Sequence, residues 1–246
     1  MPLTSTTDNT PRLFVFLLFV GQSGGEAVVR VLTGEHSPSG RLPSTQYPAD
    51  YVHQVPMTDQ SFRPSSTNPG RTYRFYTGDA VYPFGYGLSY TTFVISIIDG
   101  PSTIHVDALL QSPIGYTVNI TNTGSVRSDA TVLAFYSPDG PSQYVDVTPP
   151  LSTLFDFAFL PMLAPGETST LWFQMTAKSL LTVDSRGHEW LLPGQWKVNI
   201  GDGSEPVRLT VLGESRLVRQ WEGDNVVEQP QRKQQAEVNR ASVSAE

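Results

Sequence analysis

The chain has 246 residues and a mass of 27.0 kDa, enough for one large domain or two small ones with buried cores and too much for a peptide. Sixteen Lys and Arg against 23 Asp and Glu leave a formal charge of −7, and no basic stretch could neutralise a row of phosphates, so nucleic acid is not an expected partner. Twenty Gly and twenty Pro beside only 16% charged residues predict a mainly β protein of short strands and turns. The chain has no cysteine, which excludes disulfides, thiolate metal ligands and a cysteine nucleophile while leaving the compartment open. His36, His53, His105 and His188 are too widely spaced for a His-x-x-x-His metal pair and read as ordinary surface or turn histidines.

In chain order, the longest apolar run is Leu13 to Val20, far short of the ~20 residues of a membrane-spanning helix; no membrane span is expected. It reads as a buried strand, from Phe14, Val15, Phe16, Phe19 and Val20, or as the h-region of a signal peptide cut between Gly21 and Ala27. Gly21 to Gly25 then form a tight turn, and Ala27, Val28, Val31 and Leu32 share one helical face that stops at Gly34. A single strand and helix cannot bury their apolar faces without the rest of a sheet. Residues 1–45 therefore read as the end of an incomplete α/β layer, whose other strands would lie upstream.

Residues 46–91 carry Pro48, Pro56, Pro64, Pro69 and Pro83, which break every long element, and aromatics too dense for a disordered linker, among them Tyr47, Tyr51, Tyr73, Tyr76 and Phe84. They read as an ordered connector. Over 92–213, candidate strands at Thr92–Asp99, Tyr116–Thr121, Ala130–Tyr136, Phe155–Leu160, Thr168–Met175, Trp196–Ile200 and Val207–Val211 alternate with turn signals. This predicts an immunoglobulin-like or fibronectin type III-like β-sandwich. Residues 214–246 are rich in Gln and charge and read as a flexible tail, in which Val218, Trp221 and Val226 allow at most a short helix.

Three short motifs bear on chemistry. Gly21-Gln22-Ser23-Gly24-Gly25 fits the G-x-S-x-G elbow of a serine esterase, with Ser23 as nucleophile and Asp59 or Asp79 followed by His105 or His188 in the required order. An elbow serine normally follows several strands, one of which carries oxyanion donors, and the chain downstream turns all-β; a structural glycine turn is the stronger reading. As a phosphate loop the same glycines lack a following Lys-Ser or Lys-Thr and the G-x-G-x-x-G spacing. Asn119-Ile120-Thr121 is a sequon, and the alternation of Tyr116, Val118 and Ile120 with Thr117, Asn119 and Thr121 places Asn119 outward, as an N-glycan acceptor on a secretory route.

Read onward from those glycines, four ordered blocks follow: Gly21 to Ala27, Gly34 to Thr45, Pro69-Gly70-Arg71-Thr72-Tyr73-Arg74-Phe75-Tyr76, and Tyr82 to Phe93 with its Phe84-Gly85-Tyr86-Gly87-Leu88-Ser89-Tyr90. Together with the turns Asn122-Thr123-Gly124, Leu163-Ala164-Pro165-Gly166-Glu167 and Leu192-Pro193-Gly194, they resemble the C-terminal part of a glycoside hydrolase family 3 enzyme over residues 13–212. A signal cut near Ala27 would destroy the first block, which favours the strand reading of Leu13 to Val20. The Pro69–Tyr76 stretch, Met57-Thr58-Asp59 and Phe62-Arg63-Pro64 are similar to the β-xylosidase branch.

The resemblance implies a lineage of exo-acting, retaining hydrolysis of β-xylosides through a glycosyl-enzyme intermediate, with no metal or organic cofactor, and an extracellular or secretory location. In this family the nucleophilic Asp belongs to an N-terminal barrel and the acid/base Glu to an earlier part of the α/β sandwich. No catalytic residue is therefore assigned: Glu26, Glu35, Asp50, Asp59 and Asp79 match no catalytic motif and read as caps or solvated charges. Gly85 and Gly87 are expected to take backbone angles closed to other residues, Phe84, Tyr86, Leu88 and Tyr90 to fill the seam between the α/β layer and the sandwich, and Arg41, Arg71 and Arg74 to pin carbonyls or carboxylates in it. The expectation is a chain inactive alone, partnered by a barrel domain or by copies of itself. The alternative is a stand-alone β-sandwich module that binds a glycan or a protein.

Overall fold

The structure, a computed structural model, describes residues 21–140 and 148–220. The Leu13–Val20 run and most of the tail lie outside them. Helix α1 (Gly24–Leu32) starts after Ser23, carries the ion pair Glu26–Arg30 at 2.7 Å one turn apart, and ends where Thr33 Oγ1 donates to the Val29 carbonyl at 2.9 Å. Gly34 follows with φ 77°, the left-handed turn that stops the helix. None of the α1 residues is buried, and Val29 and Leu32 are 56% and 55% exposed. Its apolar face thus has no described layer beneath it, as a helix from an α/β layer would show when seen alone.

The connector holds two single-turn helices, α2 (Tyr51–Gln54) and α3 (Thr72–Phe75), each cut short by its prolines and loops. Tyr47 and Tyr51 stack at 4.0 Å and Tyr76 meets both edge-on at 4.9 and 5.5 Å. Their hydroxyls finish the packing: Tyr51 donates to Gly70 O at 3.0 Å, and Tyr47 Oη accepts from Thr72 N at 2.6 Å. This ring nest fixes the path of the proline-rich chain.

Among the described residues eleven strands follow: β1 (Phe93–Asp99), β2 (Thr103–His105), β3 (Ile114–Asn122), β4 (Ser128–Pro138), β5 (Thr153–Leu163), β6 (Thr168–Met175), β7 (Leu181–Val183), β8 (Glu189–Leu191), β9 (Gly194–Ile200), β10 (Val207–Leu212) and β11 (Arg216–Arg219), with helix α4 (Val106–Gln111) after β2. A three-stranded sheet in the order β1-β3-β6 packs on a five-stranded sheet in the order β2-β10-β9-β4-β5. The protein is mainly β, a fibronectin type III-like sandwich preceded by the helical segment. Tyr116, Val118 and Ile120 of β3 point into a core shared with Val132, Ala134, Tyr136, Phe173, Val198 and Leu209. Every second residue of β3 is buried, as its period-2 sequence dictates.

All seven candidate strands are present, and the departures lie where sequence is weakest. β2 is three residues long and is held by parallel pairing to β10, a tertiary partner no local pattern reveals. α4 is one and a half turns capped by His105, whose Nδ1 accepts from Asp107 N at 3.4 Å, and is kept by the burial of Val106 and Leu109. The first residues of the expected tail form β11, antiparallel to β8 in a third sheet with β7. Arg216 reaches Asp107 at 3.0 Å and Arg219 pairs with Glu189, so partners distant in sequence order a segment of low hydrophobicity.

Asn122, at the end of β3, is fully buried and locks three turns together. Its Oδ1 accepts from Thr91 Oγ1 at 2.6 Å and Gly124 N at 3.2 Å, and its Nδ2 donates to Val126 O at 2.8 Å and Leu163 O at 2.9 Å. Gly124 is required beside it, since a Cβ there would lie 2.2 Å from Thr91 Oγ1. Replacing Asn122 by Ala strands several buried polar groups and is expected to cost about 3 kcal/mol in urea unfolding. Asn122→Asp, which cannot donate to the two carbonyls, is expected to lose at least as much.

Candidate functional site

Aromatic, arginine and carboxylate side chains gather in the seam between the connector and the outer face of the five-stranded sheet. Two strips of chain, 42–46 and 82–86, run side by side there: Leu42 N donates to Tyr86 O at 2.9 Å, Gly85 N to Leu42 O at 2.8 Å, and Gln46 N to Tyr82 O at 2.9 Å. Gly85 sits at φ 81°, and a Cβ on it would lie 2.7 Å from Leu133 Cδ1 of β4. A Cβ on Gly87 would lie 2.4 Å from Gly40 O. The Phe-Gly-Tyr-Gly block thus needs its first glycine for backbone angle and its second for close approach.

Aromatic rings bond the strips to the sheet. Tyr73 and Phe84 stack at 4.3 Å, and Phe135 of β4 meets them edge-on at 5.9 and 6.1 Å. Leu154 N donates to Tyr73 Oη at 3.3 Å, and Leu151 N to Arg74 O at 2.7 Å, which tie the entry to β5 to the connector. Arg41 spans the seam, its Nε on Thr131 O at 3.3 Å and its guanidinium on Gly87 O at 3.4 Å and Asp202 at 2.5 Å. Arg63 donates to Thr148 O and to Val183 O of β7, with its guanidinium 4.8 Å from the Phe75 ring centre. Arg71 grips Asp59 O at 2.5 Å and Pro56 O at 3.4 Å. Arg74 differs from the expectation that it pins a carbonyl or carboxylate: its guanidinium lies 5.8 Å from the Phe75 ring centre and its Nε is buried without a hydrogen-bond partner.

A hydroxyl triangle, with Ser37 and Ser128 buried and Ser89 half-buried, closes the seam at the α1 end. Ser37 Oγ lies 3.0 Å from Ser89 Oγ and 2.9 Å from Ser128 Oγ, and accepts from Tyr90 N at 3.1 Å. Tyr90 Oη donates to Val31 O at 2.7 Å, so the end of α1 is hung from the sandwich. Sequence reasoning did not find this triangle, although Ser37 and Ser89 stand inside two of the motif blocks.

The seam leaves two clefts. The larger, about 550 Å³, is walled by Tyr73, Tyr76 and Phe84 of the connector, Phe135 of β4, the exposed Asn199 of β9 and Asp79. The smaller, about 340 Å³, is walled by Arg41, Tyr86, Leu133 and Asp202 among others. Each presents one carboxylate, and that of the smaller is bound to Arg41. A retaining glycosidase needs two carboxyl groups about 5–5.5 Å apart, which neither wall supplies. The sheet side of these clefts was also missed; its signal was the apolar Leu133 and Phe135 on the outward positions of β4, where a solvated face would be polar.

The esterase reading fails on geometry. Ser23 is exposed, with ordinary backbone angles of φ −86° and ψ 3°, and no described histidine or carboxylate hydrogen-bonds its hydroxyl. Two of its proposed partners are engaged elsewhere: His105 caps α4, and Asp59 accepts from Ser61 N and Asn68 Nδ2, both at 2.8 Å. Asp79 is exposed on the larger cleft. Glu26 and Glu35 pair with Arg30 at 2.7 and 3.6 Å, and Asp50 accepts from Gln54 at 3.1 Å. Among the described residues no three His, Asp or Glu gather as metal ligands. The donors on Asp59, first the Ser61 backbone N–H, then the Ser61 hydroxyl and Asn68, hold its carboxyl below the ordinary carboxylate range, whereas burial raises Tyr51 and Tyr76.

A family model described as the Glycosyl hydrolase family 3 C-terminal domain matches residues 5–90, a stretch that includes Leu13–Val20. The chain is 36% identical over 220 residues to a probable exo-1,4-beta-xylosidase xlnD of Aspergillus clavatus, covering 82% of this chain and 27% of that protein. It is 37% identical over 225 residues to a probable exo-1,4-beta-xylosidase bxlB of Aspergillus flavus, covering 83% and 28%. The chain belongs to glycoside hydrolase family 3. It corresponds to the C-terminal part of the β-xylosidase-like branch and spans about a quarter of the length of these relatives. A solved family 3 exo-beta-xylosidase (XlnD), in complex with a xylobiose aziridine probe, superposes with a TM-score of 0.75 at 33% identity, over 84% of this chain and 28% of that one. A beta-glucosidase from Paenibacillus barengoltzii does so with a TM-score of 0.61 at 26% identity, over 81% and 23%.

Two outcomes test the seam. Gly85→Ala adds both a strained φ and a clash with Leu133, and is expected to lower stability by about 2 kcal/mol, read as a fall in urea midpoint. Asp59, with its carboxyl depressed in the fold, contributes stability fully present above the unfolded value of about 3.9 and lost as pH falls through the lower folded value. The urea midpoint of the wild type is therefore expected to fall more steeply on acidification below about pH 4 than that of Asp59→Asn.

Proposed function

We propose that this chain is the C-terminal supporting part of an exo-acting, retaining β-xylosidase of family 3, and that alone it turns over no β-xyloside. The observation that carries this reading is the alignment of 82% of the chain with only 27% of an exo-1,4-beta-xylosidase. Its residues 1–45 would complete an α/β sandwich domain, 46–91 connect it, 92–213 form the sandwich and 214–246 the tail. Double displacement on a β-xyloside requires a nucleophilic carboxylate and a separate acid/base carboxyl; on this reading both come from segments other than those described, and no cofactor takes part. The work of this part is mechanical. Arg41, Arg63 and the Tyr73–Phe84–Phe135 stack hold the connector rigidly on the sandwich, and α1 presents its uncovered apolar face to the rest of the α/β layer.

A second reading, a stand-alone glycan-binding module, draws on the tyrosine-bordered cleft, whose size falls within the ~300–1,000 Å³ of ligand pockets. Against it, the faces of Tyr73 and Phe84 are stacked on each other and Tyr76 is wedged against Tyr47 and Tyr51. The full chain is expected to release no aryl group from an aryl β-xyloside and to give no heat on titration with xylo-oligosaccharides. Turnover abolished by replacing Asp79 or Asp202 would overturn the first reading. Heat lost in Tyr76→Ala would establish the second.

A further inference from the structure

The sequon at Asn119 is the chain's one Asn-x-Ser/Thr triplet and lies at the middle of β3, the central strand of the three-stranded sheet. Ile120 is fully buried, so Asn119 and Thr121 on either side of it both stand on the outer face. Across the ladder Asn119 is level with Ser96 of β1 and Thr170 of β6, both exposed and short. The next outward residues along β3 are Thr117 and Thr121, and the indole of Trp172 lies over Gly115, on the far side of Thr117. The residues level with Asn119 are thus short hydroxyl side chains, and the larger Val94, Ile98 and Trp172 of the same face stand to either side of that level.

The amide is oriented by one of its two polar atoms. Thr170 Oγ1 donates to Asn119 Oδ1 at 2.7 Å, while Nδ2 has no hydrogen-bond partner among the described residues and is not a buried unpartnered atom. Asn122, three positions on, shows the contrast, with Nδ2 buried and donating to two carbonyls. A substituent on Asn119 Nδ2 leaves the Thr170 contact intact, because that contact uses only Oδ1. The same face leaves Val94 56% and Ile98 54% exposed within reach of a bulky polar cover.

From this geometry we propose that Asn119 is an N-glycosylation site when the chain passes through a secretory route, and that its glycan stands on the outer face of the β1-β3-β6 sheet. The donor is a lipid-linked diphosphate oligosaccharide. The bond from sugar C1 to the diphosphate oxygen breaks, a bond from C1 to Nδ2 forms, the lipid diphosphate leaves with the electron pair, and Nδ2 gives up one proton to the transferring enzyme's base. Transfer takes place on the extended chain; the fold's part is to accept the product with its ladder and core unchanged.

The test is secretion of the full chain from yeast behind a secretion leader, with the soluble monomeric fraction analysed by intact mass and by mobility before and after endoglycosidase H. One glycan is expected on the wild type and on Thr121→Ser, and none on Asn119→Gln or Thr121→Ala, with the same melting temperature for treated and untreated wild type. Secreted, folded wild-type protein without a glycan would overturn the proposal. So would a glycan persisting on Asn119→Gln, or one confined to aggregated protein.

Discussion

The covering of the outer face of the five-stranded sheet is the constraint on which the rest of this structure depends. A sandwich sheet normally meets its partner on one side and water on the other. Here Leu133 and Phe135 make the second side of β4 apolar too, and it must be sealed. The connector seals it with the Tyr73–Phe84 stack, and rings in such arrangements contribute about 0.5–1.5 kcal/mol per pair beyond their burial. That requirement explains why a chain broken by so many prolines is ordered: it has no ladder of its own of any length, but it is the lid of an apolar surface.

Polar contacts then set where on that surface the lid sits. Ring stacking is tolerant of sliding, whereas Arg41 reaches Thr131 O, Gly87 O and Asp202 at once and can do so in one register only. The Ser37–Ser89–Ser128 triangle acts similarly at the other end, since its three hydroxyls satisfy one another only when the chain at Ser37 and Ser89 meets β4 at one position. Tyr90 carries that position on to α1 through Val31 O. A chain of directional bonds therefore runs from the sandwich to the helix whose apolar face is uncovered, which is what a part that positions another layer requires.

Much of this was legible in the sequence, and the line between what was and what was not is physical. β3 declared itself because Tyr116, Val118 and Ile120 alternate with Thr117, Asn119 and Thr121, a local pattern set by one buried face. β6 was recovered with its boundaries, Thr168 to Met175, directly after the Pro165-Gly166-Glu167 turn. β2, β7, β8 and β11 are three or four residues each, and their partners fix them rather than their own composition. The seam's role could be inferred from glycines and aromatics in the family blocks, but its clefts and the hydroxyl triangle arise from contacts between residues as far apart as Ser37 and Ser128. No periodicity reports such pairs.

The same bonds bear on the proposal that this part supports catalysis instead of performing it. A catalytic group must be held firmly yet keep one unsatisfied direction toward substrate, with a charge or a proton to give. Around the seam those directions are taken: Asp202 faces Arg41, Asp59 accepts from Ser61 and Asn68, and the guanidinium of Arg41 is divided among three acceptors. The faces of Tyr73 and Phe84 are in contact with each other. Asp79 keeps its exposure but stands without a second carboxyl across the larger cleft. Side chains so mutually satisfied give rigidity and register, and on the proposed reading a sugar-cleaving site placed against them would gain a fixed wall whose own groups do not compete for the proton it must move.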